Sequence, residues 1–201
     1  MGISVYVHIP YCIQRCHYCD FTTFEQSQIM PPKQYIDLVR REIQQRAHLI
    51  EPKLISTLYF GGGTPSLLES KFILSLINEL ANAGFRFDPD LEATLEINPA
   101  TMDQDKLEDY LKMGINRFSV GAQSFNDQFL KACGRRHSAK DTRETLKILS
   151  DRRLNYSFDL LFALPHQTMD HLKQDLQEAT QFQPPHMSLY CLTVPEGHRM
   201  S

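Results

Sequence analysis

Short apolar runs alternate with longer segments of helical periodicity along almost the whole chain. In the first run Val5, Val7 and Ile9 lie on one side and Pro10 ends it, which predicts a strand. Residues 33–50 then carry apolar side chains at helical spacing, which predicts an amphipathic helix. The same alternation predicts strands at residues 55–60, 93–97, 117–120, 157–162 and 187–193, and helices at residues 72–83, 103–113, 138–151 and 168–182, with Thr168 as an N-cap.

Six strands, with helical sequence after each of the first five, predict an α/β fold. Alternating strand and helix units form parallel sheets with right-handed crossovers. Periodicity alone does not distinguish an open doubly wound sheet from a barrel. Since no linker or low-complexity tract divides the sequence, we expect a single domain over residues 1–201.

Composition narrows the class of protein further. The 201 residues carry a net charge of −3, with 42% hydrophobic and 22% charged residues, which is typical of a globular protein. No basic region predicts nucleic-acid binding. The apolar runs are far shorter than the roughly 20 residues of a membrane span, and the N-terminus lacks secretory features. The expected location is therefore cytoplasmic.

Three of the five cysteines form a C-x₃-C-x₂-C pattern directly after the first strand, at Cys12, Cys16 and Cys19. Thiolates are soft ligands, which favours zinc or an iron–sulfur cluster. A zinc site would need a fourth ligand, and only His8 or His17 is near enough in sequence. A [4Fe–4S] cluster held by three cysteines leaves one iron open to an external ligand, so three suffice. The pattern therefore favours the cluster. The two other cysteines, Cys133 and Cys191, are interpreted as small buried hydrophobes.

A glycine run, residues 61–63, follows the second strand and precedes Thr64 and Pro65. Glycine lets a ligand approach the backbone closely. The run is neither a P-loop nor a dinucleotide-binding fingerprint, since the further residues of both motifs are missing. Glu96 and Gln123 also follow strands. Because the carboxyl ends of parallel strands face the ligand, we expect these residues and the cysteine loop to share one mouth.

Several motifs, taken in order, resemble one superfamily. They occupy residues 6–21, 60–66, 96–99, 119–125, 158–165 and 189–193. In this order they resemble the radical S-adenosylmethionine (radical SAM) superfamily. More narrowly, they are similar to the branch that contains oxygen-independent coproporphyrinogen III oxidases and HemW-type heme chaperones.

The resemblance implies an incomplete (β/α)₆ barrel with a [4Fe–4S] cluster on Cys12, Cys16 and Cys19. The open iron would chelate the amino and carboxylate groups of SAM, and electron transfer to SAM would yield a 5′-deoxyadenosyl radical. By motif match, Gly62, Gly63 and Thr64 would meet the methionine end of SAM, and Glu96 would bind ribose hydroxyls or a second nucleoside. The remaining matches to cofactor-contacting positions are Tyr6, Tyr18, Gln123, Arg135 and Asp159.

Three of these matches have plainer alternatives. Arg135 lies in a basic segment, residues 134–137, that is as typical of a solvated turn as of a ligand contact. Tyr18 could simply pack beside the cluster. Asp159 lies in an apolar strand, where a carboxylate is costly unless it is paired, so a site role is favoured.

The sequence also departs from parts of the family pattern. The oxidases carry a fourth cysteine two residues after the third, and this chain has Phe21 there, as the chaperones do. Family members continue beyond the sixth strand into a C-terminal domain, so the chain is expected to be truncated. The sequence contains no tryptophan, whereas the chaperones' heme-linked segment contains one.

These observations favour a HemW-type protein that binds SAM and takes part in heme delivery. The expected partners are heme or porphyrinogen and proteins that accept or donate heme, with self-association through an exposed last strand. One alternative is a coproporphyrinogen III oxidase that decarboxylates propionate side chains to vinyl groups. A second alternative is an inactive, truncated or zinc-stabilised domain.

Overall fold

The computed structural model describes residues 2–194 and contains eight strands and six α-helices in that range. The strands are β1 (Ile3–Ile9), β2 (Tyr11–Cys12), β3 (Phe24–Glu25), β4 (Leu54–Gly62), β5 (Arg86–Ile97), β6 (Arg117–Gln123), β7 (Asn155–Phe162) and β8 (His186–Cys191). The helices are α1 (Pro32–Arg46), α2 (Ser70–Asn82), α3 (Gln104–Lys112), α4 (Asp127–Ala132), α5 (Ala139–Asp151) and α6 (Met169–Gln181). None of the helices in residues 2–194 is long and apolar enough to cross a membrane.

The strand order decides between a doubly wound sheet and a barrel. The main sheet runs β1-β4-β5-β6-β7-β8, with every neighbouring pair parallel. A doubly wound sheet reverses its strand order at a switch point, where the helices change face. Here the six strands of the main sheet lie side by side in the order in which they occur along the chain, which is the order of a barrel wall. The six-stranded sheet confirms the predicted incomplete (β/α)₆ barrel.

The main strands separate apolar side chains from polar ones by simple alternation. In β6, Phe118, Val120 and Ala122 are fully buried in the main hydrophobic core. Ser119 and Gln123, one position away, face the cavity inside the curved sheet. Because successive strand residues point to opposite faces, each strand contributes both to the core and to the cavity wall.

Local signals fix the ends of several helices. Ser138 and Asp141 form a capping box at the start of α5, and the side chain of Thr168 caps α6 as predicted. Gly84 and Gly114 follow α2 and α3 with φ angles of +89° and +92°, a conformation that glycine adopts without steric cost.

Several short or irregular elements differ from the predicted ones. The cysteine segment was predicted as a loop, but β2 pairs with β3 across it. Helix α4 was not predicted, because six residues are too few for a clear helical period. Strand β5 begins at Arg86, seven residues before the predicted start, and α1 ends at Arg46 rather than at Ile50.

Candidate functional site

The loops at the carboxyl ends of the strands open into one cavity of about 490 Å³. Eleven of the twelve predicted site residues line it, and Tyr6 does not. The eleven are Cys12, Cys16, Tyr18, Cys19, Gly62, Gly63, Thr64, Glu96, Gln123, Arg135 and Asp159. The structure therefore brings together nearly all of the residues that the sequence motifs single out.

The cysteine loop is held in place at its base and at its middle. The backbone N–H of Phe24 donates to the carbonyl oxygen of Pro10 at 2.8 Å, next to the β2–β3 pair. At the far side of the loop, the backbone N–H of His17 donates to the carbonyl oxygen of Cys133 at 2.9 Å. These contacts position a loop that would otherwise be free to move in solvent.

All three loop thiols are half-buried, and two of them lie near hydroxyl groups. The hydroxyl of Thr64 lies 4.0 Å from Sγ of Cys12, and Thr23 Oγ1 lies 3.7 Å from Sγ of Cys19. Burial raises the pKa of the Cys12 thiol, and the charges of Cys16 and Cys19 raise it further. The thiols are therefore close enough to influence one another.

The thiol set suits a cluster better than a single metal ion. Within residues 2–194 no three His, Cys, Asp or Glu side chains are gathered closely enough to hold one ion. Cysteines that bind a [4Fe–4S] cluster each bind a different iron, so they do not need to converge on one point. The three loop cysteines, on one wall of one cavity, fit that requirement.

The two histidines that could complete a zinc site have other partners. Both ring nitrogens of His8 are engaged, Nδ1 with the hydroxyl of Tyr6 at 3.0 Å and Nε2 with the carbonyl oxygen of Thr22 at 2.9 Å. Nδ1 of His17 hydrogen-bonds the carbonyl oxygen of Ala132 at 3.1 Å. Neither histidine lines the cavity beside the thiols.

The glycine loop is joined to the chain that enters the cysteine loop. The backbone N–H of Gly63 donates to the carbonyl oxygen of Ile9 at 2.8 Å, and that of Thr64 donates to Tyr11 at 2.7 Å. A Cβ atom on Gly63 would lie 2.6 Å from the carbonyl oxygen of Tyr11, well inside van der Waals contact. Gly62 adopts a φ of +113°, and a Cβ atom there would meet the ring of His8. These positions therefore require glycine.

Glu96 connects the glycine loop to the third main strand. Its two carboxylate oxygens accept hydrogen bonds from the hydroxyl of Tyr59 at 2.8 Å and from the N–H of Gly62 at 2.9 Å. Burial raises the pKa of the Glu96 carboxyl. Tyr6 stacks on Tyr59 with ring centroids 5.9 Å apart and is 57% exposed, so Tyr6 reaches the site only through its neighbour.

Arg135 points into the site and is not part of a solvated turn. Its Nη1 lies 3.5 Å from Sγ of Cys16 and 3.5 Å from the hydroxyl of Tyr18, and Nη2 donates to the carbonyl oxygen of Gly121 at 2.7 Å. The neighbouring Arg136 is the exposed residue. Tyr18 contacts this guanidinium group and also packs against the small core cluster around Phe129, so both interpretations of Tyr18 describe part of its environment.

The last two predicted residues lie on neighbouring strands, Gln123 at the end of β6 and Asp159 within β7. Gln123 is buried with a φ of +68°, where the pairing of β6 with β7 shifts register. Asp159 is half-buried, and burial raises the pKa of its carboxyl, while Ser188 and His186 act in the opposite direction.

Several residues on the inner face of the sheet were not predicted from the sequence. The Arg117 side chain donates to hydroxyls of Thr94 at 3.3 Å and Ser157 at 3.4 Å. Further inner-face residues that line the cavity are Tyr59, Ser119, Gly121, His186 and Ser188. The alternation of polar and apolar residues within β6 and β7 could have identified the members of this set that lie on those two strands.

The two remaining cysteines behave differently from each other. Cys133 is 1% exposed and packs with Phe129, Leu161 and Leu164, as predicted for a small hydrophobe. Cys191 is exposed at the end of β8, so its predicted burial is wrong. The reason is that β8 is the last strand of the sheet and is covered on neither face along most of its length.

Comparison with known proteins gives the same family as the site. Residues 6–179 match the radical SAM superfamily. The heme chaperone HemW of Synechocystis sp. is 39% identical and that of Escherichia coli is 34% identical, each over 96% of this chain. The chain spans 48% and 51% of these two relatives, about half of their length.

A solved structure has the same fold as this chain. Coproporphyrinogen III oxidase (HemN) from Escherichia coli, a radical SAM enzyme, superposes with a TM-score of 0.88 at 29% identity. The match covers 96% of this chain and 45% of HemN. The incomplete parallel barrel and the three-cysteine loop beside a glycine loop agree with the superfamily match over residues 6–179. The chain therefore belongs to the radical SAM superfamily.

Proposed function

We propose that residues 1–201 are the radical SAM core of a HemW-type protein, which binds a [4Fe–4S] cluster and SAM and takes part in heme delivery. The single observation that carries the proposal is the shared cavity of the cysteine loop, the glycine loop and Glu96. Since the chain spans about half of its HemW relatives, the activity and partners of the whole protein are part of the proposal.

In this proposal Cys12, Cys16 and Cys19 hold the cluster, and the cluster supplies one-electron chemistry to bound SAM. The main sheet on one side and the cysteine loop on the other limit the access of water to the thiols, which are half-buried. Burial already disfavours the charged form of the free Cys12 thiol, and binding to iron would stabilise the thiolate instead.

The glycine loop would receive the methionine end of SAM. The amides of Gly63 and Thr64 already donate to the backbone of Ile9 and Tyr11, so they are not available to an incoming carboxylate. The glycine loop offers space that is free of side chains. This space lies next to hydrogen-bond acceptors, which suit the ammonium group of SAM. Glu96 is held beside the same loop and has the chemistry to accept hydrogen bonds from ribose hydroxyls.

Phe21 favours a chaperone over an oxidase. Its side chain is 72% exposed and lies at the rim of the cavity, at the position where the oxidases have their fourth cysteine. A phenylalanine there removes a ligand or redox group and adds an apolar surface at the entrance. The HemW relatives from Escherichia coli and Synechocystis sp., at 34% and 39% identity, support the same choice.

The first test is anaerobic reconstitution with iron and sulfide, followed by quantification of iron, sulfide, zinc and heme. We expect iron and sulfide in equal proportion. We expect no stoichiometric heme, because the tryptophan-containing segment is not in this sequence. A protein that takes up zinc and contains no sulfide would contradict the proposal.

The fold match to HemN supports coproporphyrinogen III oxidation as a second candidate function. Incubation of the reconstituted protein with coproporphyrinogen III, SAM and a reductant distinguishes the oxidase function from the HemW-type function. We expect no protoporphyrinogen IX, either from the natural sequence or from Phe21→Cys, because one cysteine does not rebuild a substrate pocket. Product formation by the natural sequence would favour the oxidase.

A further inference from the structure

The guanidinium group of Arg135 is held by contacts on several sides. Nη2 donates to the carbonyl oxygen of Gly121 at 2.7 Å, and Nη1 lies 3.5 Å from both Cys16 Sγ and the Tyr18 hydroxyl. The Nε N–H donates to Nδ1 of His137 at 3.4 Å. A planar group with donors in a fixed fork is oriented by all of these partners together.

Among the side chains that contact the guanidinium group of Arg135, His137 is the least exposed. It is 3% exposed, and Nε2 lies 3.1 Å from the carbonyl oxygen of Ala122. Because that oxygen can only accept, Nε2 must carry the ring proton, and Nδ1 is then free to accept from Arg135. Burial and the adjacent Arg135 cation lower the pKa of His137 to about 4, so the ring stays neutral near pH 7.

We propose that His137 is a positioning residue that aims the guanidinium group of Arg135 at Sγ of Cys16, and that this contact sets the reduction potential of the cluster that Cys16 would help to hold. The inference rests on the proposed function, since it requires a cluster on Cys16. It assigns a role to a histidine that touches neither the thiols nor the cavity surface.

The direction of the effect follows from charge. Reduction adds one negative charge to the cluster, and a nearby cation that donates N–H groups to a ligand sulfur stabilises the reduced form. The contact therefore raises the reduction potential. If His137 no longer held Nε, the guanidinium could rotate away from Cys16 while remaining attached to Gly121, and the potential would fall.

The test uses the full chain with its cluster reconstituted, and follows the reduced cluster by electron paramagnetic resonance during a redox titration. His137→Gln can accept from Arg135 and donate to Ala122, whereas His137→Leu can do neither. We expect a midpoint potential close to the natural one for His137→Gln and a more negative one for His137→Leu. Arg135→Met should shift the potential in the same direction as His137→Leu. Leu146→Ala, a buried change in α5, is the control for destabilisation alone and should leave the potential unchanged.

The possible outcomes separate this inference from the proposed function. If the natural sequence binds no cluster, the proposed function fails before any variant is compared. If the cluster forms and His137→Leu or Arg135→Met leaves the potential unchanged, only the positioning role is wrong. Loss of the cluster in His137→Leu but not in His137→Gln supports the role. Loss in both, with the cluster intact in Leu146→Ala, overturns it, because then the shape of the ring and not its hydrogen bonds is required.

Discussion

Cys133 gives an internal comparison for the three loop cysteines, because it is a thiol near Cys16 that belongs to the core. The charge of Cys16 contributes to raising the pKa of Cys133, and burial contributes more. A thiol that packs against Phe129 and Leu164 cannot reach a cluster without disrupting that packing. Proximity to the site therefore does not make Cys133 a ligand.

We expect Cys12→Ala, Cys16→Ala and Cys19→Ala each to abolish stable cluster binding, because each leaves a further iron without a protein ligand. Cys133→Ala and Cys191→Ala should keep the iron content of the natural sequence. Iron and sulfide analysis after anaerobic reconstitution checks all five variants. An unchanged iron content in Cys16→Ala would refute the ligand assignment.

Gly63→Ala is predicted to disturb the glycine loop by steric contact. The new Cβ atom would meet the carbonyl oxygen of Tyr11 at 2.6 Å, and a backbone atom cannot move aside as a flexible side chain can. We expect a loss of about 1–3 kcal/mol in the free energy of unfolding, as for other overpacked sites, and weaker SAM binding to the loaded protein. Urea unfolding and equilibrium dialysis measure the two effects.

Gly114→Ala is the matched control for Gly63→Ala. Gly114 has a φ of +92° with open space around it, so alanine there adds backbone strain but no contact. It should cost about 1 kcal/mol and leave SAM binding unchanged. Equal losses of SAM binding in both variants would show that the loop contact is not the cause.

Residue types and spacing predicted the cysteine ligands and the glycine loop, because both are local in sequence. The role of Arg135 could not be predicted in this way, since it contacts Cys16 across 119 residues of sequence. A basic segment at residues 134–137 is compatible with solvent or with a site. Only the fold shows that Arg135 points into the site and that Arg136 is exposed.

Strand β6 carries a sequence signal for the inner wall of the barrel that the alternation of strands and helices does not give. Strands of parallel sheets that are covered on both faces are usually apolar throughout. In β6, Arg117, Ser119 and Gln123 alternate instead with fully buried residues. Such alternation in a parallel α/β chain indicates that one face of the sheet lines a cavity. It would have predicted the inner wall of the barrel.

A buried carboxylate joins α1 to α2 and predicts a pH dependence of stability. Glu79 is 4% exposed and accepts hydrogen bonds from Gln44 and Arg40, both at 2.8 Å. The hydrogen bond from Gln44, followed by Arg40, lowers the pKa of Glu79 below its ordinary value of 4.5. A lowered pKa in the folded state favours the ionised form. The resulting stability is present above pH 4.5 and is lost as the pH falls through the lowered pKa.

We therefore expect Glu79→Gln to lower the free energy of unfolding by about 1 kcal/mol near pH 7. The difference from the natural sequence should shrink as the pH falls below 4.5. Denaturant unfolding between neutral and acidic pH measures it. Glu42→Gln, an exposed carboxyl on α1 with a surface ion pair to Arg46, is the control and should change little at any pH. A difference for Glu79→Gln that grows in acid would contradict the assignment.

The six-stranded sheet of the incomplete barrel ends in the edge strands β1 and β8. Within residues 2–194, β8 pairs with a strand only on its β7 side. The sequence predicts an exposed apolar edge at Leu189, Tyr190 and Leu192. Leu189 is 46% exposed and Tyr190 53%, but the prediction is wrong for Leu192, which packs against the small core cluster. An open edge with exposed apolar side chains favours pairing between copies.

The prediction is that the chain self-associates and that Leu189→Lys with Tyr190→Lys increases the monomer fraction. Light scattering over a concentration series measures this. Leu74→Lys, an exposed leucine on α2 away from the edge, is the control and should leave association unchanged. A monodisperse monomer from the natural sequence would show that the edge is not used.

The architecture could be predicted from the sequence only in part. Alternating strands and helices predict a parallel α/β fold, but this pattern is shared by doubly wound sheets and barrels. The order β1-β4-β5-β6-β7-β8 follows from long-range pairing, which hydrophobic periodicity does not encode. The resemblance to the radical SAM superfamily supplied the choice of a barrel, and the strand order confirms it.

We propose that one cavity holds a three-cysteine cluster whose open iron binds SAM. The most direct measurement is the electron paramagnetic resonance spectrum of the reduced, reconstituted protein with and without SAM. We predict that SAM changes the spectrum of the natural sequence, and that Gly63→Ala weakens this change at equal iron content. A reduced cluster whose spectrum is the same with and without saturating SAM would contradict the account.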